Sequence, residues 1–248
     1  MFEVTITDAS LFKKCVDAIS TLIDEGEFTA NEDGLSLRAM DPSQIAMVDF
    51  KLPKSAFEKY NVENTKLGIN LEDLATVMSR VRSGEKMEMT LDKGKARLNL
   101  VFKGQSTRNF VVPLLDLDAN TPKEPKIEFE SVAKLNGNFL KESLKDTQLV
   151  SSHVILEAKN DSFLVRSQGD KGAVNIETKR ESKQIIDYKV DKESKAMFPL
   201  DYLNDLLSGV DSKTNVVLSL KMNAPLKMKY PIGDAKITYF LAPRIEEE

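Results

Sequence analysis

A chain of 248 residues with 41% hydrophobic content is long enough to bury one large core or two ordinary ones, which excludes disorder as its default state. Its net charge of -4 is spread evenly, 15 Lys/Arg against 18 Asp/Glu in residues 1–117 and 20 against 21 in residues 118–248, which excludes whole-molecule attraction to nucleic acid and leaves only local patches for such a role. The sequence has no apolar run long enough to span a membrane and a strand-like opening, Met1 to Asp8, in place of a secretory leader, so an intracellular chain is expected; the single Cys15 excludes an internal disulfide.

In chain order, apolar residues at helical spacing predict helices over Asp8–Ile23, Leu71–Val81, Asn138–Leu149 and Leu200–Leu207, with Asp8, Asn70 and Asn138 as N-caps. Cys15, set among Leu11, Phe12, Val16 and Ile19, reads as a small core residue. Between the helices the pattern alternates as strands do. Glu88–Leu91 and Ala96–Phe102, separated by Asp92-Lys93-Gly94-Lys95, predict a hairpin. Val216–Lys221, Leu226–Tyr230 and Lys236–Leu241 predict further strands. Asp116–Lys126, with Pro122, Pro125 and no sustained period, reads as a surface connector.

The chain is also written twice. Asp33-Gly34-Leu35-Ser36-Leu37-Arg38 is echoed by Asp161-Ser162-Phe163-Leu164-Val165-Arg166 at a shift of 128 positions. At the same shift Leu11-Phe12-Lys13 meets Phe139-Leu140-Lys141 and Val16 meets Leu144; Leu71–Leu74 meets Leu200–Leu203 at 129, and Phe110 with Pro113 meets Phe240 with Pro243 at 130. A slowly drifting shift is what small loop insertions leave after a duplication. The expectation is an α+β protein of two similar domains, 1–117 and 127–248, joined by a connector over 118–126.

Catalytic chemistry is thinly supplied. Acyl transfer needs a nucleophile beside a base, and the only histidine, His153, follows Ser151-Ser152 where a surface or capping role is the ordinary reading. One Cys and one His do not make a zinc site, and the eleven glycines form no phosphate-binding loop. Carboxylates are plentiful, which keeps a metal-dependent nuclease as an alternative; yet Asp8, Glu72, Asp73 and Asp201 stand at helix starts, where they complement the helix dipole, and Glu246–Glu248 reads as a solvated tail. No cofactor and no metal site are expected.

The stretch Asp33–Phe50, DGLSLRAMDPSQIAMVDF, resembles the PCNA family of DNA sliding clamps, especially its archaeal members. Asn223–Ile245, NAPLKMKYPIGDAKITYFLAPRI, resembles the closing strands of the same family, so the likeness spans essentially the whole chain. The resemblance implies the DNA clamp fold: two duplicated domains, each with two helices packed on antiparallel sheets, assembled as a closed homotrimeric ring around double-stranded DNA. It implies a processivity factor that is not an enzyme, cytoplasmic and nucleoid-associated in an archaeon or nuclear in a eukaryote. A subunit of a heterotrimeric or checkpoint-like clamp is the alternative.

In such a ring the outer faces of the helices meet DNA without reading bases, since neither a recognition helix nor a basic run with interleaved aromatics is visible. The matching cations are Lys13, Lys14, Arg80, Arg82, Lys141, Lys145 and Lys213, whose ordinary alternative is a solvated face. The family recruits replicative polymerase, clamp loader, flap endonuclease and DNA ligase through PIP-box-type peptides held in an apolar pocket. Residues at matching positions are Met40, Gln44, Ile45, Leu117, Pro199, Pro225, Phe240, Leu241, Ala242 and Pro243; plain sheet core is the alternative for several of them. The connector lacks the larger aliphatic residue that commonly walls this pocket. Subunit contacts are expected along Arg108–Leu115, through Arg108, Phe110, Val112 and Pro113, and along Lys171–Arg180, through Lys171, Val174, Ile176, Lys179 and Arg180.

Overall fold

The computed structural model describes residues 1–117 and 121–244; Asp118, Ala119 and Asn120 of the connector, and Ile245 with the acidic end Glu246–Glu248, lie outside the described residues. The chain divides into two compact units, the first made of Met1–Pro42, Val48–Pro122 and Pro231–Ile237, the second of Ser43–Met47, Lys123–Tyr230 and Thr238–Glu248.

The first unit contains β1 (Phe2–Ile6), α1 (Ala9–Ser20), β2 (Glu25–Asn31), β3 (Gly34–Met40), β4 (Ala46–Pro53) from Val48 onward, β5 (Lys59–Val62), β6 (Thr65–Asn70), α2 (Leu71–Met78), β7 (Lys86–Asp92), β8 (Arg97–Lys103) and β9 (Thr107–Pro113). One antiparallel sheet runs β5-β1-β7-β8-β9, and the strands β4-β3-β2-β6 are neighbours in another. The predicted β7–β8 hairpin is present, paired from Lys86↔Lys103 to Asp92↔Arg97 and closed by Ala96 in the left-handed region at φ 47°. Gly34 turns β2 into β3 at φ 139°, where a Cβ would stand 2.2 Å from the Leu52 carbonyl oxygen, so only glycine fits.

The second unit repeats the plan with β10 (Ser131–Asn136), α3 (Gly137–Gln148), β11 (His153–Ala158), β12 (Ser162–Gly169), β13 (Gly172–Lys179), β14 (Ile185–Val190), β15 (Ser194–Pro199), α4 (Leu200–Leu206), β16 (Asn215–Leu220) and most of β17 (Leu226–Ile232), with the part of β18 (Ala235–Leu241) from Thr238 onward ending the regular structure. Strands β14-β10-β16-β17 are neighbours, and β13-β12-β11-β15 form a separate sheet.

Helix starts follow the capping chemistry of the sequence, with one correction. Asp8 Oδ1 accepts the Ser10 amide at 2.9 Å, and Asn70 Oδ1 accepts the Asp73 amide at 2.9 Å. The third cap is Asn136, which accepts the Phe139 amide at 3.0 Å, and not the expected Asn138. The helix begins one residue earlier, on Gly137. Glycine is a poor helix former and hides the start from a periodicity reading, but no other residue suits: a Cβ there would lie 2.4 Å from Val210 and 2.6 Å from the Thr214 carbonyl. Helix ends are shorter than expected by one to three residues, because the last turns tighten into three-residue spacing, as in Leu22 N–H to Ile19 O at 3.1 Å and Val81 N–H to Met78 O at 3.1 Å.

Each helix packs its apolar stripe inward. In α1, Ala9, Phe12, Cys15, Val16, Ala18 and Ile19 are buried, and in α3 Leu140 and Leu144 are, whereas Phe139 is half-buried. Complete burial of one such aliphatic or aromatic side chain contributes roughly 1.5–3 kcal/mol, more than helix propensity supplies. Burial pushes the Cys15 thiol up to about 12, with Asp17 adding to the shift, which makes it an inert core residue.

The duplication reaches side-chain detail. Tyr60 on β5 donates its hydroxyl to the Asn31 carbonyl at 2.8 Å, and the hydroxyl of Tyr188 on β14, 128 positions later, stands 2.8 Å from both the Lys159 and Ser162 carbonyls, which share its one proton. Both tyrosines latch the turn before the repeated strand. In that strand Arg38 pairs with Asp49 at 2.5 Å and Arg166 with Glu157 at 3.1 Å. No helix among the described residues is long and apolar enough to cross a membrane.

Candidate nucleic-acid face, peptide-binding elements and subunit edges

The two helices within each unit pack against one another, α1 on α2 and α3 on α4. The expected seven differ in how free they are. Lys14, Arg80, Arg82 and Lys213 are exposed or half-buried and carry no ion pair among the described residues. Lys13 pairs with Asp17 one turn along, and Lys145 pairs with Glu142 at 2.7 Å. Such exposed pairs are worth only about 0.3–0.5 kcal/mol and yield readily to a phosphate. Lys141 is half-buried and donates Nζ to the Val210 carbonyl; burial, and then Lys145, lower its pKa, while Asp211 works the other way.

The Arg80–Glu85 turn is built around a carboxylate. Glu85 is 3% exposed, and its Oε2 accepts both the Arg82 amide at 2.8 Å and Arg108 Nη2 at 2.5 Å. Arg108 Nη1 donates to the Arg80 carbonyl at 3.0 Å, and the Glu85 carbonyl accepts the Ala9 amide at 2.8 Å. Nothing in the local sequence pattern singles out Glu85, since its partner lies 23 residues away.

Of the residues expected at a peptide pocket, the second unit brings Ile45 and Ala242 together, the Ala242 amide donating to the Ile45 carbonyl at 2.8 Å. Ile45 is exposed, and Gln44 before it is exposed in the left-handed region at φ 59°. Phe240 and Leu241 are core, at 4% and 0% exposure, and the Lys227 ammonium stands 4.9 Å from the Phe240 ring centre while bonding Glu124 at 2.7 Å. Pro199, Pro225 and Pro243 are half-buried and Ala242 likewise. Met40, exposed, and Leu117, half-buried, belong to the first unit.

One neighbour was not foreseen. The Arg244 amide donates to the Met197 carbonyl at 2.8 Å, and Arg244 Nη1 lies 2.9 Å from His153 Nε2. His153 is the first residue of β11. Its pKa is lowered, first by burial and then by the Arg244 charge, with Asp201 opposing.

Both expected contact strands are sheet edges. β9 is bonded to β8 alone and β13 to β12 alone among the described residues, leaving one side of each backbone available. Along β9 the side chains alternate. Arg108, Phe110 and Val112 face their own unit, Phe110 against Phe102 at 5.3 Å and Val112 1% exposed, whereas Asn109, Val111 and Pro113 are exposed. Val111, 51% exposed, was not foreseen; counting alternate residues from the buried Val112 would have found it. On β13, Val174 and Ile176 are half-buried and Lys179 pairs with Glu177 at 2.6 Å; just outside its two ends, Lys171 is exposed and Arg180 donates to the Tyr188 carbonyl at 3.2 Å. Among the described residues no three His, Cys, Asp or Glu side chains gather as metal ligands.

Comparison with known proteins agrees over the whole chain. Residues 1–121 match the family described as proliferating cell nuclear antigen, N-terminal domain, and residues 123–245 its C-terminal domain. The DNA polymerase sliding clamps of Pyrococcus furiosus and Thermococcus gammatolerans are 34% and 35% identical over 249 residues, covering 99% of this chain and 99% of theirs. Crystallised PCNA from Thermococcus kodakaraensis superimposes with TM-score 0.94 at 25% identity, covering 98% of this chain and 100% of the other. Archaeoglobus fulgidus PCNA, solved with the C-terminal region of FEN-1 bound, gives 0.91 at 26% identity and full coverage of both chains. With both domain descriptions matched in order and full-length relatives above 30% identity, the chain belongs to the proliferating cell nuclear antigen family of DNA polymerase sliding clamps.

Proposed function

We propose that three copies of this chain close into a ring around duplex DNA and tether replication and repair enzymes to it, with no catalytic step of their own. The observation that carries the ring is the pair of open edges, β9 in one unit and β13 in the other. A strand of one copy added to the edge of the next satisfies both backbones, and a head-to-tail contact that closes leaves neither of these two edges unpaired. In this reading Lys14, Arg80, Arg82 and Lys213 form the free part of the DNA face, with Lys13 and Lys145 exchanging their acids for phosphates and Lys141 held back. Contacts of this kind are weak, salt-dependent and blind to sequence, so closure and not affinity keeps the ring on DNA.

Partner recruitment is assigned to Ile45, Gln44 and the Ala242–Pro243 segment, together with Met40, Leu117, Pro199 and Pro225. The bound FEN-1 region in the A. fulgidus relative supports a peptide as the ligand. Replicative polymerase, clamp loader, flap endonuclease and ligase are the partner classes this assigns. Light scattering of the purified chain at near-physiological salt tests the assembly: about three times the 27.8 kDa chain mass is expected, and a monomer at all concentrations would overturn the homotrimer and point to a heteromeric ring.

A further inference from the structure

We propose that Lys227 is a positioning residue of the peptide-binding site: with Glu124 it clasps the connector onto the second unit and roofs the Phe240 ring. This rests on the reading of Gln44, Ile45 and Ala242–Pro243 as the place where a partner peptide docks. On β17, Leu226, Met228 and Tyr230 turn to the core, where the Tyr230 hydroxyl donates to the Leu206 carbonyl at 2.7 Å; on β18, Tyr239 and Leu241 are buried likewise. Alternation therefore sets Lys227 and Phe240 on the opposite face, on neighbouring strands. A phenylalanine there should be wet, yet Phe240 is 4% exposed.

Lys227 supplies part of the cover, its side chain 17% exposed and its ammonium 4.9 Å from the ring centre. Glu124 Oε1 accepts that ammonium at 2.7 Å from 103 positions away in the chain. Residues 121–129 form neither helix nor strand, and Pro125 biases Glu124 to extended backbone. Residues 118–126 also carry no large aliphatic side chain, so an ion pair on an aromatic ring does here what an apolar contact would otherwise do. Two residues beyond Phe240, Ala242 is tied by its amide to the Ile45 carbonyl at 2.8 Å, which joins the clasp and the docking surface through β18 and its continuation. A connector held in place before a peptide arrives spares the peptide the cost of ordering it.

The test uses the full chain, a labelled synthetic peptide of the FEN-1 C-terminal region, the kind bound to the A. fulgidus relative, and tryptic cleavage after Lys126 as a second readout. Lys227→Met keeps an apolar stem over Phe240 and removes the charge, and Glu124→Gln removes the charge from the other side. Each should weaken peptide binding about twofold to fivefold and speed cleavage after Lys126, and the two together should do little more than either. Both losses should shrink as salt is raised, because the parent's pair is then screened. Lys227→Arg, which can reach the carboxylate and lie on the ring, should behave as the parent does. Parent affinity in Lys227→Met and Glu124→Gln, losses that add fully, or faster cleavage with unchanged affinity would overturn the proposal. Ile45→Glu addresses the reading beneath it: peptide binding should be lost while cleavage keeps the parent rate. Undiminished binding by Ile45→Glu would overturn the docking reading itself, with the clasp then judged by cleavage alone.

Discussion

The two units are built on one plan but held together by different chemistry. In the first, the turn after the second helix is fixed by the buried Glu85–Arg108 pair; in the second, the contact between α3 and the segment after α4 is made by Lys141 Nζ on the Val210 carbonyl and by Gly137 against Val210 and Thr214. By contrast, the tyrosine latch and the strand arginine survive in both, at a constant shift of 128. Contacts that fix the backbone path within a sheet persist through a duplication, whereas contacts that only have to fill and neutralise a space are free to diverge.

The largest expected effect separates the two latches. Tyr188 is 5% exposed and serves two carbonyls, and Tyr60 is half-buried and serves one. Tyr188→Phe should cost about 1–2 kcal/mol, because the two carbonyls lose the one proton they share and the Ser162 bond is buried, and Tyr60→Phe about 0.5 kcal/mol. Denaturant unfolding of both variants measures this, and equal or reversed costs would break the asymmetry.

A somewhat smaller effect concerns the caps. Asn136→Ala should cost about 1 kcal/mol, comparable to Asn70→Ala in the first unit, whereas Asn138→Ala at the exposed second helical position should stay within about 0.5 kcal/mol. A costlier Asn138→Ala would move the cap of α3, and with it the helix start, two residues along.

The smallest effect is set by pH and belongs to the second unit alone. Because His153 titrates below its usual value in the folded chain, the unfolded chain binds its proton first as pH falls. Stability should therefore decline from the ordinary histidine range down to the lower folded value and level off beneath it. His153→Gln should lose less thermal stability than the parent between about pH 7 and pH 5. The same loss in both proteins would show that burial and Arg244 together do not disfavour the imidazolium.

Much of this is legible in the chain. The apolar spacing of α1, the caps Asp8 and Asn70, the β7–β8 hairpin and the repeated Asp33–Arg38 and Asp161–Arg166 strands are all stated by residues close together in sequence. The choice of β9 and β13 as edges is legible too, through the family likeness. Which face of β9 looks outward follows from the alternation about Val112, although only the structure brought Val111 to notice. Asn136 escapes a sequence reading because a glycine stands where a helix former would announce the start.

The sequence by itself determined the α+β class, the duplication, the helices and the family, because period, capping and repetition act over a few residues and leave a local record. Only the tertiary structure decided which cations are free. Lys13, Lys14 and Lys141 look alike in the chain, yet one is paired, one is open and one is drawn down onto a carbonyl 69 residues away. The same holds for Arg108, which the sequence places on a strand and which the fold pairs with a buried Glu85 23 residues away. Electrostatic partners are chosen by proximity in space, and burial sets what each pairing is worth; neither is written in the spacing of residues along the chain.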